Sequence, residues 1–150
     1  MNIEEVIGEV KESGFNAPHI FTSLLNKEDV FTYDSEILSA VFLSREYYTD
    51  LKETSNISYR AKILIATSQG VVFAEEGVER VCKDNCGYKI KFIPYHKIAS
   101  LELDFCLLLG ILKISSGSSS ESEISFGLNT AKYERVLLEF IDVVHKQLKV

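Results

Sequence analysis

Residues 123–148 read EISFGLNTAKYERVLLEFIDVVHKQL, and the spacing of the apolar residues changes within them. Up to Leu128 the period is two: Ile124, Phe126 and Leu128 alternate with Ser125 and Gly127, as in a strand with one buried face. After Asn129 it becomes helical. Tyr133, Val136, Leu137, Phe140, Ile141, Val144 and Leu148 fall on one stripe, while Lys132, Arg135, Glu139, Asp142 and Lys146 face away. Asn129 or Thr130 can cap this helix, and Lys146 and Lys149 suit the negative end of its dipole. An apolar stripe on a helix must be buried, so a sheet is expected beneath it.

The residues before this stretch supply the sheet. Ala61 to Thr67 (AKILIAT) and Val71 to Glu75 (VVFAE) read as two strands joined at Ser68-Gln69-Gly70, with Gly70 expected to provide the positive φ of a tight hairpin. Tyr88 to Ile93 alternates strictly, with Tyr88, Ile90 and Phe92 on the face expected to be buried and Lys89 and Lys91 on the other. Pro94 suits its end. Ile98 to Phe105 places Ile98, Leu101, Leu103 and Phe105 inward and Glu102 and Asp104 outward. Gly110 is expected to break the chain before a strand over Ile111 to Ser115, Ser116 to Ser120 to form a turn, and Gly127 to allow a bulge.

The N-terminal part is different. Ile3, Val6, Ile7 and Val10 predict a helix capped by Asn2 and ended near Gly14. Ala17-Pro18 interrupts, and His19 to Leu25 predicts a second short helix. Residues 1–26 therefore read as a helical extension packed on a domain formed by residues 27–150. Between Val30 and Leu43 neither parity is polar, which fits a strand over Ile37 to Leu43 buried on both sides; a helix from Asp34 to Leu51 is the rival.

The totals set bounds. A chain of 150 residues fits one domain. The net charge of −6 argues against broad nucleic-acid binding, which needs cations to displace counterions, and against strong adhesion to anionic membranes. The first residues lack the apolar core of a secretory signal, and the longest apolar run, Phe105 to Leu112, is far short of the about 20 residues that span a bilayer. Three cysteines, Cys82, Cys86 and Cys106, make a poor disulfide framework, so free thiols and a cytoplasmic location are expected.

Antiparallel strands followed by one closing helix are the plan of the pleckstrin-homology domain, and local phrases resemble its bacterial family. ILIATSQGVVFAEEG (63–77) is similar to that family's second-to-third strand hairpin. FIPYHKIASLEL (92–103) resembles its strand exit through Pro-Tyr into Ile, and GILKISSG (110–117) with SEISFGL (122–128) its next hairpin. The resemblance covers roughly 28–148. It implies an α+β, mainly β fold: an antiparallel barrel or sandwich of about seven strands, closed or nearly so and thus without bare edges, capped by the C-terminal helix. It also implies self-association through the sheets. Relatives that bind phosphoinositides carry cations between the first two strands; here Lys52, Arg60 and Lys62 are the candidates for a lipid headgroup or small ligand at the barrel mouth.

Chemistry-bearing motifs are sparse. Cys82 and Cys86, with His96 and Cys106 elsewhere, have looser spacing than a zinc site, and Cys106 in its apolar run reads as core. His19, His96 and His145 show no triad pattern. No nucleotide or zinc-protease motif is present, so no cofactor, no metal and no enzymatic activity are expected. The anomaly is the apolar run containing Phe105, Leu107, Leu108 and Leu109, where alternation fails. Such a patch is covered either by the N-terminal extension or by another subunit. The expectation is a non-enzymatic binding or scaffolding module that contacts an unknown protein partner, a second copy included, through this run.

Overall fold

Four consecutive residues, Ile63 to Ala66, are fully shut off from solvent. Neighbouring side chains of a strand point to opposite faces, so this requires cover on both sides. The computed structural model describes residues 2–14, 17–47, 57–77, 87–117 and 123–149. The chain runs α1 (Ile3–Glu12), α2 (Ile20–Leu25), β1 (Ile37–Leu43), β2 (Glu46–Tyr47), β3 (Ile57–Tyr59), β4 (Lys62–Thr67), β5 (Gly70–Glu76) and β6 (Tyr88–Pro94). A 3-10 turn (Tyr95–Lys97) leads into β7 (Ile98–Cys106), β8 (Leu109–Ser116), β9 (Ile124–Asn129) and α3 (Thr130–Leu148).

Two antiparallel sheets result, one of four strands in the order β1-β4-β5-β6 and one of three in the order β7-β8-β9, while β2 and β3 form a small ladder. The fold is mainly β, with a C-terminal helix. Among the described residues no strand pairing joins the two large sheets, so the closed barrel is corrected to two facing sheets. The break lies at Pro94, which has no N–H to donate, and the 3-10 turn after it carries the chain into the second sheet.

The cover over β4 and β5 comes from two directions. On one face, Leu43, Leu64, Val71 and Phe73 meet Leu112, Ile114, Ile124 and Phe126 of the three-stranded sheet and Tyr133, Leu137, Phe140 and Val144 of α3. On the other, Phe42, Ile63, Ile65 and Val72 are roofed by Val6 and Val10 of α1 and by Phe21 and Leu24 of α2. This explains the missing alternation in β1, which is the strand Ile37–Leu43 and not a helix. Asn2 caps α1 by accepting from the Glu5 N–H at 2.8 Å, and Gly14 follows the helix with φ at 56°. The Tyr133 hydroxyl of α3 takes the Ser44 N–H at 3.1 Å and so pins the far end of β1.

A buried carboxylate fastens the other strand ends. Glu76 receives both carboxylate-directed bonds of the Arg45 Nε–H, at 3.1 and 2.9 Å, and the Ala61 N–H at 2.6 Å. Charge-assisted bonds of this kind are the stronger sort.

The glycines behave differently from expectation. Gly70 has no positive φ. The turn is closed instead by the Thr67 hydroxyl, which accepts from the Gln69 and Gly70 N–H groups at 3.1 Å. Gly70 is needed because β6 crosses so closely that a Cβ would lie 2.4 Å from the Ile93 carbonyl oxygen and 2.7 Å from the Pro94 Cα. Gly110 does not break the chain: it pairs with Phe105 inside β8. Gly127 makes no bulge, since β8 and β9 pair in unbroken register. The bulge falls between Ile98 and Ser100, which is why Ile98 and Leu101, three residues apart, both reach the core. In β6 the expected burial holds only in part: Ile90 packs on the N-terminal core and Lys89 and Lys91 are exposed, but Tyr88 and Phe92 are exposed too and Ile93, on the lysine-bearing face, enters the main core.

The Pro94-Tyr95 corner rests on the Thr67–Gly70 turn. The Tyr95 hydroxyl donates to the Thr67 carbonyl at 2.5 Å, and burial pushes its pKa up to about 12. Because the folded state holds this proton more tightly than the unfolded chain, stability is full below pH 10 and falls between pH 10 and 12. Chemical denaturation across that range should show a steeper loss for the native chain than for Tyr95→Phe, which lacks the group and is less stable at neutral pH by about 1 kcal/mol. Gly70→Ala should cost about 1–3 kcal/mol in urea unfolding because backbone, not a flexible side chain, blocks the methyl group.

Candidate functional site

The hairpin between β7 and β8 turns in two residues, Leu107 and Leu108, between the paired Cys106 and Leu109. So short a loop requires a positive φ at its first residue, normally supplied by glycine. Here Leu107 adopts it, with φ at 54°. A left-handed backbone costs a side-chain-bearing residue roughly 1–2 kcal/mol.

The strained turn is held by the start of α3. The Thr130 hydroxyl donates to the Leu107 carbonyl at 2.7 Å, and the Thr130 N–H donates to the Leu108 carbonyl at 3.0 Å. Of the two residues expected to cap the helix, Asn129 holds the cap position but its side chain makes no capping bond and its buried Oδ1 has no partner among the described residues, while the Thr130 hydroxyl is turned to Leu107. Gly110 lets the parts close up, since a Cβ there would lie 2.7 Å from the Thr130 methyl and 3.0 Å from the Phe105 ring. The backbone of the tip is thus fixed while its side chains face outward. Leu107 is 93% exposed and Leu108 69%; Leu109 and Phe105 are exposed as well. Cys106 beside them is an exposed free thiol, not core.

The failed alternation located this run, but it did not reveal a turn. Leu107-Leu108-Leu109 contains no residue that usually marks one, and Gly110, the nearest such residue, lies inside the following strand. The N-terminal helices do not supply its cover, because they pack on the four-stranded sheet.

Of the cationic candidates, the two that are described, Arg60 and Lys62, differ in exposure. Lys52 lies outside the described residues. Arg60 is exposed. Lys62 is buried, with its Nζ donating to the Arg60 carbonyl at 2.7 Å and lying 3.7 Å from the Glu75 carboxylate. The rings of Tyr59 and Phe126 stand 5.9 and 5.6 Å away. Burial lowers the Lys62 pKa from the usual lysine value, against the opposing pull of Glu75 and Glu76. Glu75 is shared with Lys89 at 3.4 Å.

Cys82 and Cys86 also lie outside the described residues, and among those described no three metal-binding side chains come together. His96 and His145 are exposed, and His19 meets the Tyr88 ring edge-on. Glu102 and Asp104 are both exposed on β7. No described helix is long and apolar enough to cross a membrane.

Thr130→Val should keep the volume but remove the donor to Leu107. Stability is expected to fall by about 1 kcal/mol, and amide hydrogen exchange should speed up at the hairpin before the core strands. Comparison with family models, with curated proteins and with solved structures finds no match to this chain.

Proposed function

We propose that this chain is a non-enzymatic binding or scaffolding module with a pleckstrin-homology-like fold, acting through protein–protein contacts that include a second copy of itself. Support for the fold comes from its order: a four-stranded antiparallel sheet, a three-stranded meander, then a helix that buries its stripe against both. Support for the function comes from one observation, the leucine tip clamped by Thr130 with its side chains in water. A contiguous exposed apolar patch marks a contact site. Rigidity adds to this, because a preformed tip loses little conformational freedom on binding. The buried charges favour binding over catalysis, since Lys62 and Glu76 are already engaged in holding strand ends.

Light scattering and sedimentation over a range of concentrations test the reading. The native chain should associate with rising concentration, and Leu108→Asp should be monomeric with an unchanged circular-dichroism spectrum and stability within about 0.5 kcal/mol, as for an exposed position. A native chain that stays strictly monomeric at high concentration removes self-association. A Leu108→Asp chain that fails to fold removes the tip as a contact surface.

A further inference from the structure

We infer that the loop between α2 and β1 is a docking surface for a lysine- or arginine-rich amphipathic segment of a partner protein, separate from the leucine tip. The loop is built, not slack. Thr32 is fully buried, and its hydroxyl donates to the Leu24 carbonyl at 2.8 Å. The Asp29 carboxylate accepts the Phe31 N–H at 3.1 Å, and its carbonyl accepts from Thr32 and Tyr33 at 3.0 and 2.8 Å. Ser35 is buried too, with its hydroxyl on the Thr32 carbonyl. On the far side Gln69 donates to the Asp34 carbonyl at 3.2 Å, and Ser68 accepts from the Glu36 N–H at 3.1 Å.

With Thr32 and Ser35 turned inward, the larger apolar residues are turned out. Val30 is 72% exposed and Tyr33 61%, with Phe31 exposed between them. A fold that buries two small polar residues and presents three large apolar ones has an apolar surface to cover. Its rim is acidic. Glu28, Asp34 and Glu36 are exposed, and none is ion-paired among the described residues. Apolar contact with an unpaired carboxylate rim suits a segment carrying leucine-like residues on one side and cations beside them. The same rim repels an anionic lipid surface. The loop leads into β1 at Ile37, and the tip's clamp reaches the other end of β1 through Tyr133 and Ser44. The loop thus belongs to the four-stranded sheet, whereas the leucine tip joins β7 and β8 of the three-stranded one.

The test uses the full chain and two synthetic helical peptides, one of leucine and lysine, the other of leucine and glutamate. By fluorescence anisotropy at low salt, the lysine peptide should bind and weaken as salt rises. Val30→Ser with Tyr33→Ser should weaken it about tenfold or more, and Asp34→Asn with Glu36→Gln about threefold. Leu108→Ser should leave it unchanged, so failure here and failure at the tip are told apart. The inference is overturned if the lysine peptide does not bind, if the serine variants bind it like the native chain, or if the glutamate peptide binds equally. It is also overturned if phosphatidylglycerol vesicles bind the native chain but not the serine variants, for then the occupant is a membrane.

Discussion

Strands β4 and β5 cannot face water on either side, and the rest of the molecule follows from that. Ile63, Leu64, Ile65, Val71 and Val72 are fully buried, and each large aliphatic side chain so placed is worth about 1.5–3 kcal/mol. Uncovering either face would forfeit several of these contributions at once. The three-stranded sheet and α3 satisfy one face, and α1 with α2 the other. The N-terminal helices therefore share a core with the sheet. Phe21 and Phe42 meet edge to face at 6.0 Å across that boundary, and Phe73 and Phe126 stack at 5.5 Å across the opposite one.

Polar bonds place the layers where nonpolar packing alone would leave them free to slide. Each binds a strand end. Glu76 collects Arg45 and the Ala61 N–H at one end of the central sheet, and Tyr95 holds the Thr67 carbonyl at the other. Lys91 reaches from β6 to the Glu123 carbonyl beside β9, at 2.6 Å, and so ties together two sheets that no ladder joins among the described residues. Apolar burial is non-directional, whereas these contacts have fixed geometry and set the register of the packing.

Much of this was legible in the residues. The switch of period near Leu128, the apolar stripe of α3, the cap at Asn2 and the hairpin around Ser68 each express a local preference that the packing agrees with. The failures share a different cause. The need for Gly70 comes from β6, more than twenty residues away in the chain, and no local pattern carries that. Cys106 reads as core only if its neighbours continue a strand, but they form a turn. The bulge near Ala99 did leave a trace, because Ile98 and Leu101 cannot share a face of a regular strand. For the candidate surfaces, the leucine run stood out through composition. The outward set of Val30, Phe31 and Tyr33 did not, since only the inward turn of Thr32 and Ser35 distinguishes it from a buried segment.

The left-handed backbone at Leu107 has a bearing on how this protein would respond to engineering. A glycine there would relax the turn and delete the most exposed leucine in one step. Any screen that rewards only thermal robustness would therefore be drawn to this position and would trim the exposed tip while improving the fold. On the function proposed for the tip, stability and recognition pull in opposite directions at a single residue, and a hardened version of the protein would be expected to go silent there first.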